Sequence, residues 1–266
     1  MNSRDFLGLK ATHNPNRWYM EVVHHLQTPG GFLFGGCGLG AAIAAMEDTS
    51  GRECVWATGQ YLSYARSPEV MDIDVVLAVT GHNMTQARAV CHVGDREILT
   101  VNAALGHRPF DRVAQFEEMP DVPPPNEVAP HLAHRDITNT IKERVELRLI
   151  KGRSVNKRDG TLSDGQSLLW SRLPDVTEGV DASVLATMAD LVPMGIGQSL
   201  GVKSSGNSLD NTLRVMQLVP TEWVLLDIRI HSVQRGFGHG LVHMFAEDGT
   251  LMATASQSAM VRYWKG

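Results

Sequence analysis

Cysteine is scarce in this 266-residue chain. Cys37, Cys54 and Cys91 form no CxxC pair and are odd in number, which disfavours a disulfide framework or a thiolate zinc site and fits a reducing compartment. Long apolar runs are also missing. Gly, Asp or Glu interrupts each one well short of the ~18 residues a spanning helix needs, so no membrane association is expected. The stretch from Met1 to Lys10 lacks the basic-then-apolar order of a signal peptide, which makes the cytoplasm the default location. There is no surplus of basic charge either. A formal net charge of −5 argues against a nucleic-acid partner, because phosphate neutralisation needs a concentrated basic face. Two or three local Arg or Lys would still suffice for a nucleotide-like ligand. With 43% hydrophobic and 20% charged residues, the chain suits two ordinary domains or a fused pair sharing one core.

What the chain does have is the same pattern twice, at a spacing of about 150 residues, too long for a solenoid and right for a duplicated domain. Pro68, Val90 and Thr58 fall opposite Pro220, Val242 and Asp210. In the first copy, Arg17 to His25 reads as a strand, and Thr28-Pro29-Gly30-Gly31 turns the chain. The run Gly36 to Met46, rich in Ala and Leu, reads as a buried helix. Short segments at 54–66, 71–80, 84–94 and 97–105, separated by turn signals, read as a four-stranded antiparallel meander. The second copy has strands near 142–151 and 166–173, a helix near 182–194, and strands near 207–217, 222–232, 238–246 and 250–263. Residues 107–135 hold Pro109, Pro120, Pro123, Pro124, Pro125 and Pro130, which cannot continue a sheet. The expected division is therefore a repeat at 1–106, a Pro-rich linker at 107–135 and a repeat at 136–266.

A strand, a helix and a meander wrapped around that helix make a hotdog unit, so the expected fold is an α+β double hotdog. Five segments in order carry a resemblance to a known family: Leu33-Phe34-Gly35-Gly36, Trp170-Ser171-Arg172, Ser208-Leu209-Asp210, Glu222-Trp223-Val224-Leu225, and Asp248-Gly249-Thr250-Leu251-Met252-Ala253 leading to Gln257. Over nearly its whole length the chain resembles the type II (TesB-like) acyl-CoA thioesterases. Cys37 stands where that family usually has Gln, and Asn211 follows Asp210 where it has His. The resemblance implies hydrolysis of an acyl-CoA substrate by a water held between an Asp, a hydroxyl residue and a Gln. It implies no cofactor, and a homodimer or higher homo-oligomer.

Carried onto this sequence, the Asp is Asp210 and the Gln is Gln257. The hydroxyl position falls on His231, with Ser232 beside it. A neutral histidine both donates and accepts, and it also suits a base at neutral pH. Asp210 lies within an apolar strand, where an aspartate needs a partner; a bulge or turn anchored by Asn207-Ser208 is the structural explanation. His231 and Gln257 also read as ordinary strand positions. In the first copy Asp210 has Thr58 as its counterpart, His231 has Val79, and Gln257 has one of Ala103, Ala104 and Leu105, which implies one catalytic centre per chain. Gly35 and Gly36 at a helix start offer amides to a carbonyl or CoA phosphate, although close helix packing explains them as well. Tyr61 joins Gly35, Gly36 and Ser232 as an expected substrate contact.

Other constellations are weaker. His239 and His243 on a strand lie about 13 Å apart, and His24-His25 and His131/His134 lack companions, so no metal site is expected. Cys37 at a helix start reads as a packed residue before a nucleophile. Two alternatives to hydrolysis stay open: a non-catalytic acyl-CoA or acyl-carrier binding protein, and a hotdog enoyl-CoA hydratase.

Overall fold

The chain enters through a short helix, α1 (Ser3–Leu7), and two short strands, β1 (Lys10–Ala11) and β2 (Arg17–Glu21). The computed structural model describes residues 1–131 and 137–263. The strand expected over 17–25 ends at Glu21, and His24–Leu26 form a 3-10 turn. The Ala- and Gly-rich run then forms α2 (Gly35–Ser50), buried continuously from Gly36 to Met46. A helix apolar all round has to be enclosed. The strands β3 (Cys54–Tyr61), β4 (Val70–Thr80), β5 (Met84–Val93) and β6 (Arg96–Gly106) curl against it. Their buried residues alternate with exposed ones, as a sheet with one covered face requires.

The second half repeats the plan. A turn of helix, α3 (Ile141–Arg144), precedes β7 (Glu146–Lys151) and β8 (Gln166–Arg172). Two helices follow, α4 (Ala182–Ala189) and α5 (Val192–Leu200), then β9 (Ser204–Val215), β10 (Val224–Gln234), β11 (Phe237–Ala246) and β12 (Leu251–Tyr263). All twelve strands join one antiparallel sheet in the order β1-β2-β4-β5-β6-β3-β9-β12-β11-β10-β8-β7. The architecture is an α+β double hotdog with both helical layers on one face of the sheet.

That order corrects the four-stranded meander expected over 54–105. β3 leaves its chain neighbour β4 and pairs with β6 on one side and β9 on the other. Hydrophobic alternation fixes which face a strand buries, but it carries no information about strand neighbours. The β3/β9 seam makes the sheet continuous, and Thr58 and Thr212 share a hydroxyl hydrogen bond of 2.7 Å across it.

Within the Pro-rich segment, residues 107–131 form no strand and contain one 3-10 turn at Pro125–Glu127; residues 132–135 lie outside the described residues. The segment lies on the sheet face opposite the helices. Met119, Val122 and Val128 pack there on Trp170, Trp223, Leu225, Phe245 and Leu251. Trp170 Nε1 donates to the Pro123 carbonyl at 2.9 Å, and the Leu251 amide donates to Gln115 Oε1 at 2.7 Å. Among the described residues, no helix is long and apolar enough to cross a membrane.

Candidate active site

Phe34 caps α2 without a side-chain hydrogen bond, so the amides of the first turn need partners from elsewhere. The second half supplies one. The helix expected over 182–194 is broken at Asp190 and Leu191, because Pro193 in the first turn of α5 lacks an N–H and blocks continuation of α4. Gly36 and Gly40 let α2 and α4 touch backbone to backbone. A Cβ on Gly36 would lie 2.6 Å from the Thr187 carbonyl oxygen, and one on Gly40 2.8 Å from that of Ser183. This approach brings Asp190 Oδ2 to 2.9 Å from the Gly36 N–H. A carboxylate at a helix N-terminus is electrostatically favoured there.

The other carboxylate oxygen faces the sheet. Ser208 Oγ donates to Asp190 Oδ1 at 2.9 Å, Gln257 Nε2 donates to Ser208 Oγ at 2.7 Å, and Gln257 Nε2 also donates to Asp190 Oδ1. Asp190 is 6% exposed and Gln257 3%. Ser208 reaches this face through a bulge. Gln257 pairs with Asn211 and Ser258 with Asp210, but Ala259 then pairs with Ser208, leaving Leu209 as an extra residue. One inserted residue reverses the alternation that follows it, so Ser208 points to the helices while Asp210 points away. In the first half, the β6 side chains that face the helix are apolar, among them Leu99, Val101, Ala103 and Leu105, and the acid, hydroxyl and amide all come from the second half.

A family model described as the acyl-CoA thioesterase C-terminal domain matches residues 114–261. A provisionally assigned thioesterase of Novosphingobium aromaticivorans is 30% identical to the chain, covering 97% of it and 99% of the other protein, with a TM-score of 0.85. The chain belongs to the TesB-like acyl-CoA thioesterase family. More distant members of the fold superpose over their full length. The acyl-CoA thioesterase II TesB2 of Mycobacterium marinum has a TM-score of 0.75 at 20% identity, with 99% of each chain covered. A hotdog-fold protein of Alicyclobacillus acidocaldarius has 0.82 at 18% identity, covering 99% of this chain and 98% of the other. No match is found among the curated proteins.

In this thioesterase, burial pushes the Asp190 carboxyl above the ordinary carboxylate range, and hydrogen bonds from Gln257, Ser208 and the amides of Gly36 and Gly35 pull it part of the way back. A carboxylate poised in this way is suited to accept a proton from water. Beside it, three side chains have buried polar atoms without a hydrogen-bond partner: Gln257 at Oε1, the Tyr61 hydroxyl, and Asn211 at both amide atoms. Leaving such groups unsatisfied costs about 1–3 kcal/mol each, and substrate or water would relieve that cost.

The structure does not bring together the expected trio of Asp210, His231 and Gln257. Gln257 is in the network. Asp210 lies on the opposite face of the sheet, where its Oδ1 accepts the Ser258 amide at 2.8 Å. His231 is exposed at a bulge in β10, and Ser232 follows it. Because β11 lies between β10 and β12, two strand spacings of about 4.8 Å separate them from Gln257. Gly35 and Gly36 do border the site, although their amides face Asp190. Tyr61 flanks Gly35, where an added Cβ would meet its ring and Asp190 Oδ2 at 2.9 Å each.

Asp190 and Ser208 lie outside the expected set. Asp190 has a legible signal, an acid closing an Ala-rich apolar run three residues before a proline. Ser208 has only an indirect one: the aspartate in an apolar strand points to a bulge or turn at Asn207-Ser208, which the structure places at Leu209, but not to the face that Ser208 takes.

Cys37 stays a thiol, as burial raises its pKa. His239 Nδ1 lies 3.1 Å from Ser258 Oγ on the outer face of the sheet, and His134 lies outside the described residues.

Proposed function

We propose that the chain hydrolyses acyl-CoA thioesters to the free acid and CoA, with Asp190, Ser208 and Gln257 holding the attacking water. The observation that carries this reading is the convergence of a buried carboxylate, a hydroxyl and a primary amide within hydrogen-bond reach of one another. Asp190 accepts the proton as the water oxygen bonds to the thioester carbon. Ser208 and Gln257 fix the carboxylate, and the free Gln257 Oε1 orients the water through its second proton. As the tetrahedral intermediate collapses, the C–S bond breaks and the proton passes from Asp190 to the departing thiolate. An acid and a thiol leave, and the carboxylate is regenerated.

The non-catalytic alternative rested on a missing hydroxyl, and the Ser208 hydroxyl stands in the network. The hydratase alternative has no observation in its favour. Three buried, unpaired cysteines support a reducing, cytoplasmic setting. A homodimer or higher oligomer belongs to the same reading, on the precedent of paired hotdog units, and light scattering of the pure chain would test it.

The test of function is steady-state hydrolysis of acyl-CoAs of graded chain length, with released CoA detected by a thiol reagent. Turnover that is lost in Asp190→Asn supports the proposal. Tight acyl-CoA binding with no turnover at any chain length would overturn it.

A further inference from the structure

A water attacking a thioester is only half of the chemistry, because the carbonyl oxygen gains negative charge and needs a donor aimed at it. The start of α2 is the obvious place to look, but its amides are engaged. Those of Gly35 and Gly36 face Asp190, and those of Cys37 and Gly38 donate to the Phe34 carbonyl at 3.0 and 3.2 Å. A side-chain donor is the next place to look.

Tyr61 is the last residue of β3 and shares the helix-facing side of the sheet with Ala57 and Gly59. Its hydroxyl is buried and has no hydrogen-bond partner. Its ring closes on the same gap at Gly35 as the Asp190 carboxylate, since one added Cβ there would be 2.9 Å from Tyr61 Cε1, Tyr61 Cζ and Asp190 Oδ2 alike. Asn211, another unpartnered donor on this face, sits beside Gln257 on β9, in the next row of the sheet from Tyr61. Burial, with Asp190 and Asp210 nearby, holds the phenol well above its ordinary pKa, so it stays protonated and able to donate.

We propose that Tyr61 is a catalytic residue of this thioesterase, its hydroxyl donating to the thioester carbonyl oxygen while Asp190 activates the water. This rests on the hydrolase reading above. As the water oxygen bonds to carbon, the carbonyl π pair moves onto oxygen, where the Tyr61 O–H holds it without transferring its proton. The pair returns when the C–S bond breaks. The first half then contributes to a centre whose other groups come from the second, which gives the duplication a chemical role in addition to a structural one.

Tyr61→Phe removes the hydroxyl and keeps the ring. Because that hydroxyl has no partner in the free protein, its loss should leave thermal stability unchanged or slightly raised. With the acyl-CoA turned over fastest by the wild type, kcat should fall about 10²-fold, the scale for one oxyanion donor, and KM should rise by no more than about ten-fold. Two inert analogues of that substrate separate a carbonyl contact from ring packing. In the ketone a methylene replaces the sulfur, and in the thioether a methylene replaces the carbonyl. Tyr61→Phe should weaken binding of the ketone about ten-fold and leave the thioether unchanged. If the wild type and not Asp190→Asn is active, Tyr61→Phe within about three-fold of wild-type kcat, or equal effects on the two analogues, overturns this inference alone. A wild type that hydrolyses no acyl-CoA overturns the hydrolase reading and this inference together.

Discussion

Replacing Gly36 with Ala tests the helix contact on which the site depends. The new Cβ would lie 2.6 Å from the Thr187 carbonyl oxygen, 2.8 Å from Thr187 Cα and 2.9 Å from the Ala186 carbonyl oxygen. All three are backbone atoms of α4, so no rotamer change relieves the clash and the helices must separate by about half an ångström or more. Overpacking of this kind costs about 1–3 kcal/mol. Movement of α2 also weakens the Gly36 bond to Asp190, a bond to a charged group worth about 1.5–3 kcal/mol. The better helix propensity of Ala returns up to about 1 kcal/mol, which leaves a net destabilisation of about 2–5 kcal/mol. Gly38→Ala is the control within the same helix. Its Cβ would sit 3.5 and 3.6 Å from methyl groups of Leu33 and Leu99, ordinary contacts, so propensity should prevail and stability should rise by about 0.5–1 kcal/mol. Urea unfolding of both variants reads the difference directly, and Gly36→Ala should also lose kcat. Equal stabilities, or a Gly36→Ala protein as stable as the wild type, would refute the reasoning.

Further outcomes follow from the same geometry. Ser208→Ala removes one donor to Asp190 and one acceptor for Gln257, and kcat should fall roughly 10–10²-fold with KM little changed. His231→Ala and Ser232→Ala, two strands away, should keep kcat/KM within about two-fold of wild type. The raised Asp190 pKa places the acid limb of the kcat/KM profile above that of an ordinary carboxylate, since the base must be ionised to act. Stability runs in the opposite sense. A carboxyl raised in the folded state contributes fully below its unfolded pKa of about 3.9, and that contribution is lost as pH rises through the folded value. Asp190→Asn should therefore gain stability relative to wild type as pH rises through that window, as read by urea unfolding.

The duplication, the two layers and most strand limits were legible because burial imposes a period of two on strands, and turn residues mark where strands stop. Strand neighbours were not, since alternation is silent about pairing, and β3 accordingly lies at the seam rather than beside β4. Within the site, Gln257, Gly35 and Gly36 could be located because they sit on regular elements. Asp210 and Ser208 would share a face in a regular strand; the bulge at Leu209 puts them on opposite faces, and although an aspartate in an apolar strand points to a bulge or turn at Asn207-Ser208, it does not say which of the two faces the helices. His231 was reached by counting along β10, which breaks register at that same residue. Asp190 is hidden in an apolar pattern that reads as one helix over 182–194, although Pro193 marks the break.

The most direct measurement compares kcat/KM of Asp190→Asn and Asp210→Asn on the same acyl-CoA. Asparagine fits both positions, and at 190 its oxygen can face the Gly36 amide while Gln257 turns its own amide to match, so the variant should fold. Asp190→Asn should lose about 10²–10⁴-fold of kcat/KM, and Asp210→Asn should stay within about three-fold of wild type. Loss of activity at 210 with activity kept at 190 would contradict the account.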